Sequence, residues 1–284
     1  MLRLVVILLL SFFSTANATV WYVHPDSTLN SIQAGLYSCS TNDTVLVAPS
    51  TYCENLTWPF TQSINLVSEI GADMTIIDGG GTGIVILIGT GIDSTTIIKG
   101  FTIQNGHSAY GAGIYCGGLE CSPTIIGNII TMNTADSVGG GITCIGASPS
   151  IDSCTISNNN GDGIYCQISY VGHPRPIIHY NNITDNTGYG VYNKVWNMIF
   201  IDARYNWWGD PSGPGGFGPG TGDEVNYFVI YNPWLTEPMS GVEEDIYNQK
   251  IRGRGLTFWH YHLTLYELVI LLIYMEENLK FTKR

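Results

Sequence analysis

The sequence contains few charged residues and very few positive ones. Charged residues make up 12% of its 284 positions, whereas a typical globular chain has about 25%. The net charge is −12. This charge excludes a general nucleic-acid binder, which needs a basic face to neutralise phosphates. The chain is not intrinsically disordered either, because 44% of it is hydrophobic.

Positive charge is almost absent from the central part of the chain. Residues 19–240 contain 17 acidic residues but only four basic ones. The basic residues are Lys99, Arg175, Lys194 and Arg204. This part of the chain would therefore repel polyanionic ligands unless a bound cation intervened.

No apolar run reaches the roughly 20 residues that a membrane-spanning helix needs. The run over residues 4–13 follows Arg3 and precedes Ala16-Asn17-Ala18, a small-x-small pattern typical of a signal-peptide cleavage site. We therefore expect residues 1–18 to be a signal peptide and the mature chain to begin at Thr19. The protein would then be secreted, periplasmic or at the cell surface, with no transmembrane span in its mature body.

Two interleaved repeats organise the central part of the chain. In the first, Pro123, Pro149 and Pro176 are each followed by Ile two and seven residues later and by Asn ten residues later. In the second, the phrase Gly-x-Gly-Ile-x-Cys recurs, with a fourth copy in which Val and Asn replace Ile and Cys. Its copies begin at Gly111, Gly139, Gly161 and Gly188. Such fixed spacing is the signature of a repeat architecture.

The repeat unit has the spacing of β-strands and no helical spacing. Alternation along a strand places the Ile and the Cys of each phrase on one face. A unit this short cannot bury its own apolar side, but coils stacked about 4.8 Å apart can. The repeats therefore predict a parallel β-solenoid, whereas a β-sandwich has no reason to repeat one phrase at matching registers.

A solenoid predicts columns of like residues inside the core, one residue from each coil. The expected columns are Ile114, Ile142, Ile164 and Val191, and Cys116, Cys144, Cys166 and Asn193. Asn128 and Asn181 lie at predicted bends, where an amide ladder would bond each side chain to the coils above and below.

Both ends of the solenoid carry residues suited to cover it. Residues 29–36 have apolar side chains at helical spacing after Ser27 and Thr28, either of which can be an N-cap. A short amphipathic helix here would cover the open edge of the first coil. Trp207, Trp208 and Trp234 are placed to close the last coil.

Several segments carry a family resemblance. They are residues 42–55, Ile64-Asn-Leu-Val-Ser-Glu69, Thr75-Ile-Ile-Asp-Gly79, residues 202–214 and Asn232-Pro-Trp-Leu235. These segments resemble secreted right-handed parallel β-helix proteins, which include the pectate-lyase-like (pectin-lyase-like) superfamily and the periplasmic NosD-like proteins. The resemblance implies an all-β fold, a single-stranded right-handed parallel β-helix over residues 19–240 with a short N-terminal capping helix.

The resemblance also implies a polysaccharide as substrate or ligand. The hydrolases of the superfamily share an aspartate cluster, a Gly-His-Gly and a basic tripeptide. Here Gly106-His107-Ser108 is only a fragment of that set, and no Asp-Asp pair occurs. Asp136, Asp162 and Asp185 are interpreted as turn residues, because Asp is favoured there for local backbone bonding.

The lyases of the superfamily use an Arg or Lys base, often near bound calcium. Arg175 and Lys194 are the candidate bases in this chain, although Arg175 lies between two prolines and is typical of a loop. Asp210, Asp223 and Glu224 are the candidate calcium ligands, and solvated turns explain them as well. No catalytic residue, metal site or other cofactor is therefore assigned.

The seven cysteines do not have the spacing of a zinc site. Cys39 with Cys53, and Cys116 with Cys121, could form disulfides in an oxidising compartment. The sequence leaves that connectivity open.

Tyr115, Tyr165 and Tyr192 fall on one outward row of the repeat. Such a row could stack sugar rings, and it is equally typical of sheet residues that pack along a face. We predict an exported, non-catalytic carbohydrate-binding or surface-display module. The alternatives are a polysaccharide lyase or glycoside hydrolase and a purely structural solenoid or adhesin.

Residues 241–284 form an atypical tail without the repeat. The apolar run over residues 263–275 is shorter than a membrane-spanning helix. The tail is interpreted as a helix docked on the last coil, an interfacial segment or the product of a shifted reading frame.

Overall fold

The computed structural model describes residues 18–170, 172, 174–194 and 199–240. Within these residues the chain is an all-parallel β-solenoid, as predicted. The chain divides into two units, Met1–Met239 and Ser240–Arg284, and the solenoid belongs to the first. The predicted signal peptide, except Ala18, and the tail lie outside the described residues.

The solenoid contains one helix, α1 (Ile32–Ser38), and short strands. In chain order the described strands are β1 Val20–Val23, β2 Thr44–Val47, β3 Ser50–Cys53, β4 Leu56–Thr57, β5 Asn65–Ser68, β6 Thr75–Asp78, β7 Ile86–Ile88, β8 Ile97–Lys99, β9 Thr102–Gln104, β10 His107–Tyr110, β11 Ile114–Gly117, β12 Thr124–Ile126, β13 Ile129–Thr131, β14 Thr134–Val138, β15 Ile142–Ile145, β16 Ser150–Asp152, β17 Thr155–Ser157, β18 Ile164–Gln167, β19 Ile177–His179, β20 Asn182–Thr184, β21 Val191–Lys194, β22 Ile201–Asp202, β23 Pro214–Gly216, β24 Gly222–Val225 and β25 Val229–Ile230.

Three parallel sheets form the faces of the solenoid, because each coil adds one strand to each face. The nine-stranded sheet has the order β1-β2-β5-β8-β12-β16-β19-β22-β25. The eight-stranded sheet has the order β4-β7-β11-β15-β18-β21-β24-β23, and the six-stranded sheet β3-β6-β9-β13-β17-β20. Strands β10 and β14 form a separate parallel pair.

The register places like residues side by side in the core. Across β11, β15, β18 and β21 one column is Ile114, Ile142, Ile164 and Val191, and the next is Cys116, Cys144, Cys166 and Asn193. The Ile, Val and Cys side chains are fully buried. Burial of an aliphatic side chain stabilises the fold by about 1.5–3 kcal/mol. A slip of one residue would turn a whole column outwards, so the columns fix the register.

Buried asparagines form a hydrogen-bond ladder along one corner of the coils. Asn133 Nδ2 donates to Asn159 Oδ1 at 3.1 Å, and Asn159 Nδ2 donates to Asn186 Oδ1 at 3.0 Å. Asp223 Oδ2 accepts from Asn186 Nδ2 at 2.8 Å and ends the ladder. Each amide also donates to a backbone carbonyl of the preceding coil. The side chains thus satisfy backbone groups that the corner leaves unpaired.

A second corner carries Asn128, Cys154, Asn181 and Asn206 in successive coils. Asn128 and Asn181 each donate from Nδ2 to a carbonyl of the preceding coil, at 2.9 and 3.0 Å. The two amides do not bond to each other, because Cys154 occupies the coil between them. The Cys154 backbone N–H donates to Asn181 Oδ1 at 2.9 Å, and Asn181 Nδ2 donates to Asn206 Oδ1 at 3.0 Å.

Helix α1 begins later than expected, and its N-cap is Ser31 rather than Ser27 or Thr28. Ser31 Oγ accepts a backbone N–H of the helix at 3.3 Å. Glu54, from the first coil, accepts two further N–H groups of the first turn at 2.8 and 2.9 Å. A carboxylate is favourable at a helix N-terminus, so a residue distant in sequence determines where this helix begins. At the other end of the solenoid, Trp208 is fully buried.

Candidate functional site

Two of the three predicted tyrosines stack on the outer side of the eight-stranded sheet. Tyr165 on β18 and Tyr192 on β21 are register partners. Their ring centroids lie 5.7 Å apart, and the ring planes are 11° from parallel. Tyr189 leans against Tyr192 with a centroid distance of 5.0 Å and an angle of 43°. We call Tyr165, Tyr189 and Tyr192 the tyrosine cluster.

The expectation that Tyr165 is exposed on one outward row with Tyr115 and Tyr192 is wrong. Tyr165 is only 1% exposed, because the Tyr192 ring lies over it and its hydroxyl donates to Gln167 Oε1 at 2.6 Å. Tyr115 is separated from Tyr165 by one coil, whose residue in this row is the fully buried Thr143. Tyr115 and Tyr192 are both half-buried, and the two buried residues between them interrupt the row.

A pocket of about 260 Å³ opens at the tyrosine cluster. It is lined by Val138, Asp162, Tyr165, Tyr189, Tyr192 and Lys194. Four of these residues are candidates from the sequence, and they come from two successive copies of the glycine phrase and the residue that follows the second copy. Arg175, Asp136, Asp185 and Tyr115 do not line it.

Asp162 supplies the carboxylate of the pocket. Its Oδ1 accepts the Tyr189 backbone N–H at 2.9 Å, and the Gly139 backbone N–H also bonds to the side chain. Burial raises the pKa of Asp162 above its usual value, although these two donors oppose the rise. Asp162 therefore positions the Tyr189 backbone and presents a partly desolvated carboxyl group to the pocket.

Lys194 supplies the positive charge. It is exposed at the end of β21, where its register partner is Gln167, the residue that holds the Tyr165 hydroxyl. Burial raises the pKa of Tyr165 to about 12, so its phenol stays neutral at physiological pH. The pocket thus combines aromatic rings with one acidic and one basic group.

The sequence argument missed Tyr189, although a signal was present. In the four copies of the glycine phrase, the position between the two glycines holds Ala112, Gly140, Asp162 and Tyr189 in turn. Only the last two coils place a large or polar side chain there. The pocket lies at the two coils in which this position holds Asp162 and Tyr189 instead of Ala112 and Gly140.

A second cavity of about 330 Å³ lies at the start of β10. His107 lines it, and His107 Nε2 lies 3.0 Å from Asp136 Oδ1 in an exposed pair. The nearby Asp78 Oδ2 accepts from Gln104 and Asn105 side chains at 2.8 and 2.7 Å. No Asp or Glu lines this cavity among the described residues, whereas glycoside hydrolysis requires a pair of carboxylates across the bond.

Two of the three candidate calcium ligands, Asp210 and Asp223, are used in internal bonds. Asp210 Oδ1 accepts from Ser212, and Asp223 accepts from Asn186. Among the described residues, no group of three or more His, Cys, Asp or Glu side chains has the arrangement of a metal site. All seven cysteines are free thiols, including the proposed partners Cys39 and Cys53.

Comparison with known proteins identifies the fold family. Within the described part of the chain, no helix has the length and apolar character needed to cross a bilayer. Searches of curated proteins and of solved structures found no match. A family model described as "right handed beta helix region" matches residues 65–207, half of the chain. The coil stack, its parallel sheets and this match agree, and the chain belongs to the right-handed β-helix family.

Proposed function

We propose that the protein is exported and binds a carbohydrate chain in the pocket at the tyrosine cluster, without catalytic turnover. The observation that carries this proposal is the packing of partly exposed Tyr192 against both buried Tyr165 and partly exposed Tyr189. The rigid coils hold these rings in place before a ligand arrives, which lowers the entropy cost of binding. Asp162 and Lys194 at the same pocket supply the few polar groups that orient a sugar by its hydroxyls.

Charge favours a neutral glycan. The net charge of the chain is −12, which repels uronic-acid polymers. Among the described residues, Lys194 is the one basic residue that lines the pocket, and Asp162 balances its charge there. We therefore expect binding to depend weakly on salt, because a neutral ligand has no charge to screen.

The lining favours binding over hydrolysis. A glycosidase places two carboxyl groups about 5–9.5 Å apart around the scissile bond. Of the residues that the structure describes, Asp162 is the only carboxylate that lines the pocket. A lyase would need a base, for which Lys194 lies at the pocket, and a uronic-acid substrate whose acidic C5 proton that base removes. Product formation is therefore an outcome that the binding experiment must include.

The test is a glycan array probed with the wild-type chain and with Tyr192→Ala, Tyr189→Ala and Tyr192→Phe. We expect both alanine variants to lose at least tenfold in affinity and the Phe variant to retain binding, because the ring face makes the contact. Tyr227→Ala is the matched control, since Tyr227 is a 68% exposed tyrosine that does not line the pocket.

Binding that survives both alanine substitutions would place the site elsewhere. Absence of any glycan binding would favour the structural solenoid. Any depolymerised product would overturn the non-catalytic proposal, and an unsaturated product that disappears in Lys194→Ala would make the protein a lyase.

A further inference from the structure

Asp43 is a buried carboxylate at the first coil of the solenoid. It is 3% exposed and lies just before β2. Its Oδ1 accepts the Thr19 backbone N–H at 2.7 Å. Its Oδ2 accepts the Ser40 backbone N–H at 2.8 Å and Trp21 Nε1–H at 3.1 Å. Burial opposes ionisation, but these three donors outweigh it and hold the pKa of Asp43 below its usual value.

The ionised Asp43 has no cationic partner among the described side chains. The ion pairs of that part of the chain involve Asp136 and Asp202 instead. A buried charge is normally paired, because desolvation without a counter-charge costs several kcal/mol. A cation at the position of the Thr19 nitrogen would supply the missing charge.

The chain is accessible where such a cation could be generated. Ala18, Thr19 and Val20 are exposed, and β1 begins only at Val20. The Ala18–Thr19 bond is also the bond that the small-x-small pattern Ala16-Asn17-Ala18 marks for cleavage. The buried carboxylate of Asp43 and the predicted cleavage site therefore both point to the Ala18–Thr19 bond.

We propose that Asp43 is a preformed receptor for the α-ammonium group that processing creates at Thr19. In the hydrolysis by a peptidase, water adds its hydroxyl to the Ala18 carbonyl carbon and its proton to the Thr19 nitrogen as the C–N bond breaks. The new amine takes one more proton from solvent. The amide N–H···O⁻ contact at 2.7 Å becomes an ammonium–carboxylate ion pair, in which both partners are charged.

The ion pair between the Thr19 ammonium group and Asp43 would stabilise the edge strand β1. Strand β1 has a neighbour on one side only, β2, and the Thr19 carbonyl accepts the Thr44 N–H at 2.9 Å next to Asp43. An edge strand frays more easily than a central one. Processing therefore removes the leader and stabilises the first coil in a single step.

The test measures the pKa of the α-amino group in the chain that begins at Thr19 and runs to Arg284, by NMR with label at Thr19. An unperturbed α-amino group has a pKa of about 7.7–8.0. We expect a rise of at least about one unit, a tenfold gain in proton affinity, and a return to the normal range in Asp43→Asn. A normal pKa in the wild-type chain would overturn the proposal even if Asp43→Asn does not fold.

A stability comparison gives an independent readout. The chain that begins at Thr19 should have a higher Tm than the same chain acetylated at Thr19, by about 2–4 °C or more. In Asp43→Asn the acetylation should make no difference. Equal Tm values for the acetylated and free wild-type chains would contradict the proposal, as would an N-terminus other than Thr19 in mass spectra of the exported protein.

Discussion

Asn186 Nδ2 lies 2.8 Å from Asp223 Oδ2, so the last rung of the first asparagine ladder is a carboxylate instead of an amide. Burial raises the pKa of Asp223 above its usual value, although the bonds from Asn186 oppose the rise. An acid whose pKa is raised by folding holds its proton more tightly in the folded chain. Its ionisation therefore reduces stability as the pH rises from the unfolded pKa through the folded one.

Asp223→Asn should consequently raise the Tm at pH 7, because the amide accepts from Asn186 and carries no charge to desolvate. The gain should vanish below about pH 4, where Asp is protonated in the unfolded chain as well. Thermal unfolding across this pH range checks the prediction. Asp185→Asn, at an exposed neighbouring position, is the control and should change little. A lower Tm at pH 7 would mean that the charge strengthens the ladder.

The ladder itself should be costly to interrupt. Asn159 accepts from Asn133 and donates to Asn186 Oδ1 and to the Ile130 carbonyl. Asn159→Ala leaves several buried polar groups without partners, each costing about 1–3 kcal/mol. We expect a loss of about 3–6 kcal/mol in the free energy of unfolding, measured by denaturant titration.

The matched control is Asn158→Gly, one residue earlier. Asn158 is exposed and has a φ of 55°, a conformation that glycine adopts without strain. This variant should lose less than about 1 kcal/mol. Similar losses for the two variants would show that the ladder contributes little.

The buried thiols of Cys116, Cys144 and Cys166 should not react with thiol reagents in the folded chain. Cys144 is fully buried between Cys116 and Cys166, and a hydrogen bond with Cys166 together with burial raises its pKa well above the usual value. A bulky thiol reagent should label exposed Cys53 rapidly and Cys144 only on unfolding. Cys144→Ser should cost about 1–3 kcal/mol, because it buries a hydroxyl among apolar neighbours. Fast native labelling of Cys144 would disprove the register of this column.

The ion pair between Arg204 and Asp202 should change the stability with pH in the direction opposite to Asp223. Arg204 donates two hydrogen bonds to Asp202, at 2.8 and 2.7 Å, and with His179 it holds the pKa of Asp202 well below its usual range. A depressed folded pKa contributes stability above about pH 4 that is lost as the pH falls towards the folded value. Asp202→Asn should lower the Tm at pH 7, and its deficit should shrink below pH 4. A deficit that stays constant down to pH 3 would contradict this.

Periodicity was sufficient to predict the solenoid and its columns, because each coil repeats the same inward positions. The sequence could not predict features that depend on a single coil. Glu54, for example, caps the start of α1 from a distant position in the sequence. Tyr165 was expected to be exposed because it alternates outwards, yet Tyr192 covers it. Alternation predicts the face of the sheet on which a side chain lies. The side chains of the neighbouring coil determine whether it is exposed to solvent.

Because successive coils pair in the same register, whole coils could be removed from this protein or added to it without changing how the remaining coils pair. Deleting the 27 residues from Ser150 to Pro176 would remove one strand from each long sheet and place Ile125 beside Ile178 and Asn128 beside Asn181. The core would close again, and an unbroken amide corner would replace the one that Cys154 interrupts. The same deletion would remove Asp162 and Tyr165 from the pocket. Adding or removing whole coils would thus keep the scaffold intact while creating or removing the pocket at the tyrosine cluster.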